Sequence, residues 1–356
     1  MSHETSHKST KNNLNGVRSA VFSRSSFLKG LAASAVAAAG MGATSGSAMA
    51  ATAGAQAAAT AGSRSVFRHP FSSTSFWNTA LGSAAVFESP SAAKTSSLLS
   101  GGCYINCEQW SIPVVNATTS DPTASVSTSP TWTWNYRVPS NTQVAIGTDG
   151  HLVITQPDAA TAYENWTMKQ VSATAWKSGF QVKTDLKGDG GTNGVRAAGV
   201  SALGGLIRAH EVQELRIPHA LAIAIPQSKL KLGPVWPAKR QDGNASSKYS
   251  GPIPMGTLFG IPGNVNVAAL PLSPEGRALA EALQNFGAYV VDAAGGTVLY
   301  AEPAAAGAAF NRMRNDFAAI RQYLRVVSNN SATAVGGGGT PGYRKLPSCS
   351  SQDHLR

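Results

Sequence analysis

Three short runs decide the fold class of this 356-residue chain: Trp132-Thr-Trp-Asn-Tyr-Arg-Val138, His151-Leu-Val-Ile-Thr155 and Tyr163-Glu-Asn-Trp-Thr-Met-Lys169. They read as β-strands separated by Gly, Pro, Asn and Asp. In the third run Tyr163, Asn165, Thr167 and Lys169 fall on one face. Glu164, Trp166 and Met168 fall on the other, because side chains alternate along a strand. Thr148-Asp149-Gly150 supplies a turn before His151 and predicts a hairpin between two of these runs. Working outward, Trp110-Ser-Ile-Pro-Val-Val115 and Gly256-Thr-Leu-Phe-Gly260 are further strand candidates. Ala220-Leu-Ala-Ile-Ala-Ile225 is continuously apolar and reads as a buried central strand.

Helix signals come late. Ser273 is a good N-cap, Pro274 fits the first helical position and Glu275 favours the positive end. Leu279, Leu283 and Phe286 recur at helical spacing, and Gly287 can close the helix. A hairpin is predicted from Ala288-Tyr-Val-Val-Asp292, a Gly295-Gly296 turn and Thr297-Val-Leu-Tyr-Ala301. A second helix over about 309–324 carries Phe310, Met313, Phe317, Ile320 and Leu324 on one stripe, as core-facing helices do. The expected fold is therefore mainly β: a single β-sandwich or jelly-roll-like domain over 64–328 with two peripheral helices. Only 13% of residues are charged and 36 are Gly, which suits a loop-rich β protein.

The ends read differently. Residues 1–29 are polar and basic, and a mildly apolar stretch from Leu31 to Met41 leads to Ala48-Met49-Ala50, where small residues fit a signal-peptidase site. Ser23-Arg24-Ser25-Ser26-Phe27-Leu28-Lys29 is similar to the twin-arginine export motif, with Ser25 in place of the second arginine. Residues 1–50 are thus an export signal and 51–63 a flexible spacer. From 329 to 356 a Gly-rich, polar tail is expected to be disordered. No second segment reads as membrane-spanning. The net charge is +11, of which the first fifty residues supply +4, leaving about +7. Without a basic cluster interleaved with aromatics, nucleic acid is a poor partner. An acidic polysaccharide suits the charge. Cys103 and Cys107 are close enough in sequence to predict a local disulfide in an oxidising compartment.

Several motifs occur in order: Asp149-Gly150-His151, Tyr163-Glu164-x-Trp166, Gly188-Asp189-Gly190, Gly205-Leu-Ile-Arg208, Ile217-x-His219-Ala-Leu221, and Leu272-Ser-Pro-Glu-Gly-Arg-Ala-Leu279 with Gly287-Ala-Tyr-Val-Val-Asp292. Together they resemble a group of exported, mostly actinobacterial β-rich proteins of unassigned activity. The resemblance spans about residues 67–327. It implies export and one domain, and no reaction.

The chain has no Gly-x-Ser-x-Gly elbow, His-Glu-x-x-His, P-loop or dinucleotide fingerprint, which removes the corresponding hydrolase, protease, nucleotidase and oxidoreductase classes. What remains is extracellular carbohydrate chemistry. For a glycosidase, Glu164 is the acid candidate, flanked by Tyr163 and Trp166, with Asp185 or Asp149 as the second carboxylate. For a polysaccharide lyase, His151, His219 or Tyr163 is the base, and Arg196 or Arg208 neutralises a uronic carboxylate. Trp166 and Asp149 complete the substrate-binding candidates. In Asp185-Leu-Lys-Gly-Asp-Gly-Gly-Thr-Asn-Gly-Val-Arg196, Asp185, Asp189 and Asn193 offer oxygen ligands for calcium, although the spacing is not that of an EF-hand. The blander alternatives are a solvated loop with Asx turns, core or cap histidines, and a surface strand at Glu164. A non-catalytic glycan-binding module using Trp77, Trp110, Trp132 or Trp134 is the alternative to an enzyme.

Overall fold

In the computed structural model the described residues are 64–342; the expected export signal, spacer and Cys349 lie outside them. Strand exceeds helix, 28% against 20%, so the protein is mainly β as expected, and none of its sheets closes into a barrel. In chain order the first elements are α1 (Ala93–Leu99), β1 (Cys103–Asn106), β2 (Val114–Asn116), β3 (Thr123–Ser129), β4 (Trp132–Arg137), β5 (Leu152–Thr155), β6 (Thr161–Trp166), β7 (Lys169–Ser172), β8 (Ala175–Lys177) and β9 (Phe180–Asp185). Then follow α2 (Ala209–Glu214), β10 (Leu221–Ile225), β11 (Leu230–Lys231), α3 (Ala245–Lys248), β12 (Ile253–Pro254) and β13 (Leu258–Gly260). The last are α4 (Pro274–Asn285), β14 (Ala288–Ala293), β15 (Thr297–Tyr300), α5 (Ala308–Arg321) and β16 (Arg325–Val326).

Two four-stranded sheets, β2-β5-β6-β9 and β4-β3-β8-β7, enclose their own apolar cluster. Leu152 and Ile154 point into it, while Val153 between them joins the larger core, as a two-residue period requires. This packing is compatible with a β-sandwich. The face assignment for β6 is correct up to Trp166. Thr167 then turns with φ +50°, so Met168 swings into the cluster that holds Tyr136 and Tyr163 rather than to the Glu164 side. The hairpin is β5–β6, antiparallel and joined through residues 156–160; Asp149 and Gly150 instead receive the Thr167 and Met168 amides on their carbonyls.

The third sheet has six strands in the order β1-β15-β10-β14-β13-β16. β10 is fully buried at its centre, parallel to β14 and antiparallel to β15. The predicted 288–301 hairpin is therefore corrected: β10 is wedged between its two arms, because the most apolar strand takes the position with neighbours on both sides. α4 and α5 pack on each other and on this sheet through Leu279, Leu283, Phe310, Met313 and Phe317. Ser273 caps α4 by accepting the Gly276 amide at 3.0 Å.

Two further expectations are corrected. Cys103 and Cys107 are free thiols. Cys103 begins strand β1 and Cys107 follows its end, so four extended residues at about 3.3 Å each hold the pair well beyond the ~7 Å Cα limit for a disulfide. Cys107 is buried and donates to Glu302 O at 3.3 Å instead. The tail does not begin at 329. Residues 336–340 accept the Gly82, Ser83 and Ala84 amides, and Gly336 and Gly337 are buried. Among the described residues no helix is long and apolar enough to cross a membrane.

Candidate functional site

A cavity of about 430 Å³ opens beyond the ends of β6 and β14. Its position begins with one irregularity in the central sheet. Between β10 and β14 the register shifts, with Ile223 opposite Val290 but Ala224 opposite Asp292. The extra residue, Val291, is a bulge, and a bulge re-aims the side chain beside it. The Val291 carbonyl accepts the Ala198 amide at 2.9 Å, and the Ala198 carbonyl accepts the Lys239 amide at 2.9 Å. Gly199, at φ +79°, closes the turn by donating to Arg196 O at 2.8 Å. Through this backbone chain the bulge places Asp292, Arg196 and Arg240 on one cavity wall.

Arg196 is 1% exposed. Its Nη1 lies 3.7 Å from Asp292 Oδ2, and its guanidinium carbon lies 4.0 Å over the Tyr300 ring. None of Nε, Nη1 and Nη2 makes a hydrogen bond. A buried cation with five donors and no acceptor carries a large desolvation cost, which an anionic ligand in the cavity would offset. Burial pushes Asp292 up to about 6; Arg196 opposes this, while Asp242 and Asp149 add to it. Asp242 accepts the Tyr249 hydroxyl at 2.5 Å. Burial, with Arg196 beside it, pushes His151 down to about 3, so that ring is neutral and its Nδ1 makes no hydrogen bond. Burial and Asp292 raise the Tyr300 phenol. The cross-strand pair Trp166 and Phe180 forms an aromatic wall, with Arg240 at 4.9 Å over Phe180.

Four of the residues expected at a site, Asp149, His151, Trp166 and Arg196, therefore meet in one cavity. The others do not join them. Glu164 is fully buried and accepts from Thr184 Oγ1, Ser201 Oγ, Val195 N and Ala202 N. Burial raises its pKa against those four donors, and it ties β6 to the 195–202 segment. Tyr163 stacks on Tyr136 at 3.8 Å, on the opposite face of β6. Asp185, Asp189 and Asn193 line a separate depression of about 210 Å³. Asp185 accepts the Lys187 amide, and Asp189 accepts the Gly191 amide and Thr192 hydroxyl, which are the Asx turns of a solvated loop rather than the six to eight oxygens calcium takes. Gly190 in that loop has φ +69°, and a Cβ there would meet Phe71 and Trp77 at 2.8 Å. His219 and Arg208 stand elsewhere, paired with Glu211 and Glu302 at 2.9 Å each. Trp77 is core, donating to Gly190 O.

No family model, curated protein or solved structure matches this chain. The site is therefore read from its own groups. Sequence reasoning missed Asp292, Tyr300, Arg240 and Asp242 as site residues. A signal existed for two of them: Asp292 is an ionisable residue ending the apolar run Ala288–Val291, and Arg240-Gln-Asp-Gly243 is a charged turn.

Proposed function

We propose that this is an exported carbohydrate-active enzyme that hydrolyses an acidic polysaccharide in the 149–292 cavity. The observation that carries the reading is the buried Arg196 guanidinium, without a hydrogen bond, facing a cavity that also holds Asp292, Asp149 and Asp242. Arg196 takes the carboxylate or sulfate of a sugar in a charge-assisted fork. Trp166, 42% exposed, offers a flat face against the sugar ring. A glycosidase needs one protonated and one ionised carboxyl group, set apart by environment. Asp292, with its raised pKa, protonates the leaving oxygen, and Asp149 or Asp242 is the second carboxylate. A lyase reading draws on Arg196 lying over Tyr300. It is the weaker one, because the phenol is pushed up and His151 down to about 3, leaving neither poised as a base near neutrality.

Incubation of the purified protein with uronate-containing, sulfated and neutral polysaccharides tests this. New reducing ends on an acidic glycan, without the ultraviolet absorbance of unsaturated uronates, are expected. The acid must carry its proton, so the rate declines as pH rises through about 6. Asp292→Asn lowers the rate by about 10²–10⁴-fold, the usual worth of a general acid. A variant as fast as the parent overturns the assignment. Unsaturated product identifies a lyase, and glycan retention without any product identifies a binding module.

A further inference from the structure

Away from the cavity, three segments distant in sequence bring imidazoles and a carboxylate together. His69 closes the turn accepted by Ser65 O, His210 and Glu211 stand in the first turn of α2, and His219 leads into β10. One donor atom from each of His69, His210 and Glu211 lies within 4.8 Å of the others. Glu211 is fully buried, and its Oε2 accepts the Arg208 amide at 2.8 Å, leaving Oε1 for the cluster. Oε1 lies 2.9 Å from His219 Nε2. The other nitrogen of that ring, Nδ1, sits 2.9 Å from Ala220 O, and only a protonated nitrogen can face a carbonyl there. The nearby arginines are engaged, Arg208 with Glu302 and Arg68 with Glu214. The buried Nε2 of His210 has no hydrogen-bond partner.

We propose that His69, His210 and Glu211 bind a divalent transition-metal ion of the zinc type, with a water in the fourth position. Imidazole and carboxylate donors hold zinc at about 2.0–2.2 Å, so donor atoms up to 4.8 Å apart must each close by roughly 0.7 Å. The ion would clamp the segment before Pro70 to α2. This inference is independent of the carbohydrate reading, and its test uses no glycan.

Untagged protein is stripped with chelator and titrated with Zn²⁺ alone by calorimetry, and its melting is followed with and without the ion. One equivalent bound and a higher Tm are expected. His69→Gln and His210→Gln each weaken binding by at least about 10–100-fold, while metal-free melting and circular dichroism stay near the parent values. Both side chains are half-buried, which makes them safer choices than Glu211, whose carboxylate also caps α2. No stoichiometric binding, or either folded variant binding as tightly as the parent, overturns the site and leaves a protonated His219–Glu211 pair. If a variant fails to fold, Co²⁺ in the unaltered protein decides: strong visible bands of a four-coordinate ion support the site, and the weak bands of an octahedral surface ion overturn it.

Discussion

At the scale of single residues, Arg196 is the buried cation of the cavity wall. Its charge is buried between Asp292 and the Tyr300 ring, and its donors make no hydrogen bond. Replacing a whole buried ion pair by apolar residues is often neutral or stabilising, whereas removing one partner leaves the other buried and unpaired. Arg196→Met leaves Asp292 without its partner, so it is expected to melt below the parent temperature while losing about 10–100-fold in kcat/KM on an acidic glycan, the worth of a hydrogen bond to a charged group. Removing a cation that holds Asp292 down also moves the descending limb of the pH profile above about 6. A large loss of stability, with kcat/KM unchanged in the remaining folded protein, would make Arg196 structural. Asp149, His151, Trp166 and Arg196 were legible because they border turns in one polar stretch. Glu164 misled, because aromatic neighbours in sequence say nothing about four hydrogen-bond donors arriving from residues 184–202.

Among the elements, α4 shows what local chemistry alone can specify. Ser273 accepts the Gly276 amide and donates to Asp316 Oδ2 at 2.5 Å, and its own amide donates to the same oxygen at 2.8 Å. Asp316 comes from α5, and a Cβ on Gly276 would collide with it, so the α4 start is also the α4–α5 contact. Ser273→Ala should cost about 1–2 kcal/mol, the upper part of the range for a lost N-cap, since Asp316 also loses a donor. Urea unfolding measures it, and a change under about 0.3 kcal/mol would show the cap to be idle. The 288–301 hairpin and the 103–107 disulfide failed for a shared reason. Both were inferred from nearness along the chain, and in extended strands nearness along the chain is quickly lost across space.

For the whole molecule, closure depends on the C-terminal segment reaching back to the start of the fold. Residues 336–340 satisfy three amides of Gly82, Ser83 and Ala84, and Asn329 both accepts the Val86 amide and donates to Ala84 O. Ending the chain after Ser328 should lower stability by roughly 2.5–7.5 kcal/mol, from these five hydrogen bonds at about 0.5–1.5 kcal/mol each. Melting of the shortened protein that matches the parent would show the segment to be a passive flap.

Taken alone, the sequence was sufficient for whatever depends on neighbours in the chain: strand runs by their alternation, the buried β10 by its apolarity, α4 by its spacing and cap, and α5 by its spacing. Strand order, the bulge at Val291 and the meeting of Asp292 with Arg196 and Asp149 were decided only in three dimensions. Periodicity tells which face of an element is apolar. It carries no record of which distant element covers that face, and the cavity is built from those pairings.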